Sequence, residues 1–194
     1  MRRTATALLA VLLTTGCAAE ATGSGNAPTT QPSAASAPAI AATLPWGSTA
    51  GVKGANGSLL MATPTGVFYW RGTGDVRPHT KWFLAVAIRV ASTTAPDHVP
   101  SLGDGGGFSW KGDGQTVNRI QGNTSAVPWS GNVPTVTDTD IQPENSVVYV
   151  ETFDVPAAGG VLVYTDTAGQ QAQWDLPPRT LGKGLRDVIA YTRR

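Results

Sequence analysis

Lys81 to Thr93 reads KWFLAVAIRVAST. Leu84, Val86, Ile88 and Val90 fall on one side of an extended chain, and Phe83, Ala85, Ala87 and Arg89 on the other. Alternation with period two, carried by β-branched residues, is the pattern of a strand. A helix fits poorly, because the apolar residues do not recur at spacings of three and four. Asn145 to Val155 (NSVVYVETFDV) is a second strand of the same quality, preceded by Pro143 and closed by Pro156. An Ala-Ala-Gly-Gly turn then leads into VLVYTD (Val161–Asp166), and a turn at Thr167–Gly169 leads into QQAQWDL (Gln170–Leu176). Successive strands joined by short glycine-bearing turns make an antiparallel meander. Weaker strands precede them at Leu59–Ala62 and Val67–Arg71, separated by Thr-Pro-Thr-Gly, and at Phe108–Lys111 and Gln115–Ile120, flanking Gly112-Asp113-Gly114. The expectation is an all-β fold, an antiparallel β-sandwich of seven to eight strands. Leu181, Leu185, Val188 and Ile189 have helical spacing, but Gly182 and Gly184 each cost a helix about 1 kcal/mol.

The order KWFLAVAIRVAST, FSWKGDGQTV, IQPENSVVYVETFDVP, then VLVYTD and QAQWDL resembles telokin-like, immunoglobulin-like domains of secreted bacterial lipoproteins. These are described as a domain of unknown function and grouped with an actinobacterial immunoprotective secreted antigen. The resemblance spans Lys81 to Leu176, about half of the 194 residues. It implies an immunoglobulin-like β-sandwich without an internal disulfide, and the chain has a single cysteine. It brings no catalytic residues. The segments Thr94–Gly107 and Gly122–Gln142 are longer than that pattern, and the chain beyond Pro178 lies outside it.

The first seventeen residues, MRRTATALLAVLLTTGC, join a basic start (Arg2, Arg3) to an uncharged apolar run and a small residue before cysteine. That is a secretory signal. Its apolar run is too short for a bilayer span of about 20 residues. Ending on Gly16-Cys17, it resembles a lipoprotein signal, with Cys17 as the lipid-attachment residue. Thr14 stands where such signals usually carry leucine. The implied location is the extracytoplasmic face of a bacterial membrane, held there through acyl chains on Cys17. Ala18 to Pro45 carries one charge and no aromatic residue. Such a stretch buries too little apolar area to offset its ordering entropy and reads as a disordered linker, about 30 Å from end to end as a coil. Residues 46–178 are then the sandwich and 179–194 a basic tail.

Charge excludes little and suggests little. The formal net charge is +1, and only 14% of residues are charged, so nucleic acid is not an expected partner. The tail is the exception, with Arg179, Lys183, Arg186, Arg193 and Arg194 against Asp187. It reads as solvated terminal disorder; the alternative is contact with anionic lipid headgroups.

Motifs of catalysis are not found: no Gly-x-Ser-x-Gly, zincin or Walker sequence occurs. Asp97, His98 and Asp104 offer donors suited to zinc or copper, yet Pro96 to Pro100 reads more simply as a solvated loop. Gly103–Gly107 and Gly112–Gly114 lack the acidic density of a calcium loop and read as turns. Trp82 and Trp174 sit in strands and are expected in the core. Trp46, Trp110 and Trp129 lie in or beside turns and loops; packing over a sheet edge is the simpler reading, and the alternative is exposed rings that stack on sugars or anchor a partner. The expectation is a non-enzymatic binding domain without cofactor or metal, contacting a protein partner in the cell envelope. The alternative is a module binding cell-wall glycan through Trp129, Trp110 and Trp46.

Overall fold

The computed structural model describes residues 42–135 and 140–193. Cys17, the signal segment and most of the proposed linker lie outside these residues. Nine strands are described: β1 (Ala50–Lys53), β2 (Leu59–Trp70), β3 (Trp82–Ser92), β4 (Gly107–Gly112), β5 (Gln115–Asn118), β6 (Ser146–Val155), β7 (Val161–Thr165), β8 (Gln171–Asp175) and β9 (Leu181–Gly182). They form two antiparallel sheets. One has the order β1-β2-β3-β6 with β9 added to β2, and the other β5-β4-β7-β8. The fold is an all-β sandwich, as the strand patterns require.

Two weak strands predicted from sequence prove to be one. β2 runs through Thr-Pro-Thr-Gly, with a register shift between Pro64 and Gly66 opposite Ile88 and Ala87 of β3. Pro64 has no N–H to give a ladder, and a bulge is where a strand tolerates that. The same place is where β2 changes partners on its far edge. β1 covers Leu59–Ala62, and β9 covers Gly66–Val67.

The sandwich core gathers Leu84, Val86, Ile88 and Val90 of β3 with Leu60, Phe108, Trp110, Phe153, Leu162 and Trp174. Each such side chain, taken from water, stabilises the fold by about 2 kcal/mol. The body also begins earlier than Trp46. Leu44 forms a parallel bridge with Trp174, its N–H donating to the Gln173 carbonyl at 2.8 Å. This covers the outer edge of β8.

β3 is buried on its other side too. Phe83, Ala85 and Ala87 belong to a second core with Val127, Trp129, Val150, Leu185 and Val188. Two segments outside the sheets supply it. One is the loop 119–135 between β5 and β6. The other is the basic tail, which is an ordered strap rather than solvated disorder. The strap runs along β2 past Tyr69, whose hydroxyl donates to the Pro177 carbonyl at 2.9 Å. It then pairs through Leu181 and Gly182 and crosses the outer face. A short helix, α1 (Arg186–Tyr191), follows. Its beginning explains the mixed sequence signal: the helical spacing is real, but the glycines precede the helix. Gly182 has φ +92°, and a Cβ there would stand 2.1 Å from the Thr65 carbonyl oxygen. A Cβ on Gly66 would stand 2.2 Å from the Lys183 carbonyl oxygen. The two backbones approach this closely only because both positions are glycine.

Val188 is 1% exposed. Val188→Ala is therefore expected to destabilise the fold by about 2 kcal/mol in a urea titration. A change under a few tenths of a kcal/mol would mean that the strap is not part of the core.

Candidate functional site

The acidic side chains that a catalytic or metal reading would use are committed to the backbone. Asp97 is fully buried and accepts N–H groups of Asn56 (2.9 Å), Ser58 (2.7 Å) and His98 (2.7 Å). The segment Asp97–Pro100 is thus packed, not the solvated loop expected, because Asp97 satisfies the turn that links β1 to β2. His98 turns away, its Nδ1 lying 2.9 Å from Asp140. Asp104 closes the turn Leu102–Asp104 by accepting the Ser101 backbone N–H (2.8 Å) and hydroxyl (2.7 Å). The Ser101 hydroxyl is the main cause holding the Asp104 carboxyl below its ordinary range. Asp97, His98 and Asp104 therefore do not converge, and among the described residues no group of three His, Cys, Asp or Glu is placed to hold a metal. The glycine-aspartate segments are turns: Asp113 (φ 48°) and Gly114 (φ 70°) form the two-residue connection of the β4–β5 hairpin.

Asp166 and Asp154 repeat the Asp97 arrangement. Asp166 accepts the N–H groups of Ala168 and Gln170. Asp154, on the outer face of β6, accepts the N–H groups of His79 (2.7 Å), Thr80 (2.9 Å) and Asn123 (2.9 Å) and the Thr80 hydroxyl (2.6 Å). One carboxylate thus fastens the β2–β3 loop and the loop 119–135 to one strand. Its burial raises the pKa, but the Thr80 hydroxyl and three amides outweigh that and hold it below the ordinary 3.8.

The loop tryptophans are packed rather than exposed, as the simpler reading of the sequence has it. Trp110 lies within β4, fully buried, with its indole N–H on the Gly159 carbonyl at 2.7 Å. Trp129 is 1% exposed. Its ring packs against Phe68 and Trp70, and its N–H donates to the Thr152 hydroxyl at 3.0 Å. Trp46 is half-buried against the sandwich core. The cause is the second core: a loop carrying Trp129 folds onto the outer face of the sheet rather than projecting from it. Stacking on sugar rings through Trp110 and Trp129 has no open ring to use. Of the expected core tryptophans, Trp174 is fully buried. Trp82 is half-buried, with the Arg71 guanidinium 4.4 Å from its ring centre.

The candidate site is the side opening of the sandwich where the chain leaves β5 and passes β6. It is a cavity of about 270 Å³, lined by Arg119, Ile120, Val127, Trp129, Glu151 and Thr152 among others. Glu151 sits on β6 opposite Val86 and is 2% exposed. Arg119 and Glu151 both have partners within the protein, so the charges shape the opening. Ile120 is different. It is 74% exposed, well above Leu59 (45%), Leu181 (44%) and Val147 (38%). Sequence reasoning passed over it, although a β-branched residue at a strand end before Gln121-Gly122 is a signal of a kind. Chemically the opening presents an apolar tip in a polar rim of Arg119, Thr124, Ser125 and Ser130. Its lining also holds the Glu151 carboxylate and the Thr152 hydroxyl.

No family model and no curated protein matches this sequence. Among solved structures, the chain is similar to a "putative lipoprotein (ycdA)" from Bacillus subtilis subsp. subtilis strain 168, at 15% identity with a TM-score of 0.46. The likeness covers 75% of this chain and 41% of that one, so this chain spans less than half of its neighbour's length. At that level it carries no argument about function.

Because the folded-state pKa of Asp154 is depressed, its stabilisation is fully present above the ordinary carboxylate range and is lost as pH falls below 3.8 through the folded value. Asp154→Asn is expected to cost about 1–2 kcal/mol at pH 7. It should also flatten the acid limb of the stability curve measured by thermal melts from pH 7 to pH 2. Parallel curves for the two proteins would show that Asp154 does not fasten these loops.

Proposed function

We propose that this protein is a non-catalytic binding domain, lipid-anchored on the extracytoplasmic face of a bacterial membrane, that contacts another protein of the cell envelope. The observation that carries the contact is Ile120. An exposed aliphatic side chain ringed by polar groups at a sandwich opening has the anatomy of an interface centre. The anchor rests on the sequence, where Arg2-Arg3, the short apolar run and Gly16-Cys17 form the signal. The non-catalytic reading is supported by Asp97, Asp154 and Asp166, whose oxygens hold turn amides. The telokin-like and immunoglobulin-like assignment belongs to the same proposal. Two antiparallel sheets and the order of the strand motifs support it.

A photo-reactive amino acid in place of Ile120, followed by mass spectrometry of captured proteins, tests the contact in cells. One protein recovered repeatedly is the expected result, with capture through a neighbouring probe at Ser125 falling at least tenfold on Ile120→Asp. Equal capture by both chains would remove Ile120 from the interface. Fractionation tests the anchor separately: Cys17→Ser should move the protein from the membrane fraction to the soluble one, and retention would argue against lipid on Cys17.

A further inference from the structure

The strap does more than seal the second core. Among the described residues it carries Arg179, Lys183, Arg186 and Arg193 against Asp187 as its one acid, and all four cations are exposed. Its apolar side chains Leu185 and Val188 point inward, at 4% and 1% exposure, so its charges are left on the outer surface. The sheet beneath adds another cation. Arg89 is exposed on β3, on the same face as Ala87 and one pleat beyond it. A Cβ on Gly184 would lie 3.1 Å from Ala87, so the strap passes directly beside that pleat. Among the described residues, none of Arg89, Lys183, Arg186 and Arg193 has a carboxylate within ion-pair distance. The rest of the body has the opposite balance. Before Arg179, residues 42–178 hold more Asp and Glu than Lys and Arg. An acidic body therefore wears a cationic face, built from a strand and a strap.

We infer that the outer face formed by Arg89, Lys183, Arg186 and Arg193 docks on an anionic lipid surface. Charge complementarity selects that occupant. The face offers exposed cations with no paired carboxylate among the described residues, which suits a plane of phosphate headgroups. Each cation held at such a surface strengthens binding about fivefold, so four bind weakly alone. A tether would make the contact intramolecular and raise its occupancy. The inference does not depend on lipid at Cys17, since the face exists without it. Where the tether is present, docking would lay the domain with its second core toward the membrane.

The test uses the chain from Ala18 to Arg194, which lacks Cys17 and keeps both cores. Sedimentation with vesicles of phosphatidylglycerol and phosphatidylcholine (3:1) is compared with phosphatidylcholine alone, at 50 mM and 500 mM salt. Binding to the anionic vesicles only, lost at high salt, is expected. Arg89→Glu with Lys183→Glu and Arg186→Glu should weaken it more than a hundredfold while leaving the melting temperature unchanged. Arg89→Glu alone lies on a central strand clear of the strap's packing, and should weaken binding at least fivefold even if the triple variant melts early. Absence of binding at 50 mM salt, equal binding to both vesicle types, or equal binding by wild type and Arg89→Glu would each overturn the inference. Free inorganic phosphate at 10 mM should not compete. If it abolished binding at constant ionic strength, the face would be a phosphate site rather than a lipid one.

Discussion

The arrangement follows from a strand that must be dry on both faces. β3 carries Leu84, Val86, Ile88 and Val90 on one side and Phe83, Ala85 and Ala87 on the other. A two-sheet sandwich buries only the first set. The second would face water across the middle of the sheet. The chain answers with two covers drawn from outside the sheets, the loop 119–135 and the C-terminal strap. Alanine at 85 and 87 leaves room for them, and Gly66 and Gly182 let the strap backbone touch β2. The result is a third layer, thin and largely irregular, held by Trp129, Leu185 and Val188.

Irregular covers need fixed ends, and a chain with one cysteine cannot staple them by an internal disulfide. For the loop 119–135 Asp154 takes that role, and other buried aspartates hold turns elsewhere in the sandwich. Asp154 ties two loops to β6, Asp97 ties the β1–β2 turn to the segment entering β4, and Asp166 closes the β7–β8 turn. A carboxylate accepting several amides makes charge-assisted bonds stronger than neutral ones, and it satisfies backbone groups that would otherwise be buried without partners. The same commitment engages the oxygens of these acids in backbone contacts. Tyr164 belongs to this end of the molecule. Burial first, then the nearby charges of Asp166 and Asp97, raise its pKa and keep the hydroxyl a donor, which it uses on the Lys53 carbonyl.

Much of the sandwich was legible because its strands alternate. β3, β6, β7 and β8 stand where period two placed them, and the Asp113-Gly114 turn needs positive φ at both residues. Other parts were hidden for physical reasons. β2 looked like two strands because Pro64 reads as a break, and nothing local shows that its missing N–H falls at a bulge. The second core was visible only as the Phe83-Ala85-Ala87 side of one strand. Its partners lie about 40 and 100 residues further on, in segments whose glycines and charges read as loop and tail. For Trp110 and Trp129 packing was the simpler reading, but the surface they pack against was hidden. Turn-like neighbours such as Pro128 and Gly131 describe the backbone, not what the ring packs against. Ile120 was overlooked because a lone apolar residue has no period.

Native-state hydrogen exchange tests the three-layer build most directly. The amides to follow are Lys183, which donates to Thr65 at 2.8 Å, and Ile189, which donates to Leu185 at 3.0 Å, beside those of Ala85 and Ala87 in β3. If the strap is part of the cooperative core, the Lys183 amide should exchange only through openings nearly as costly as those of β3, with Ile189 close behind. Exchange of both strap amides at unfolded-chain rates, with β3 still protected, would contradict the account and leave a two-layer sandwich with a loose tail.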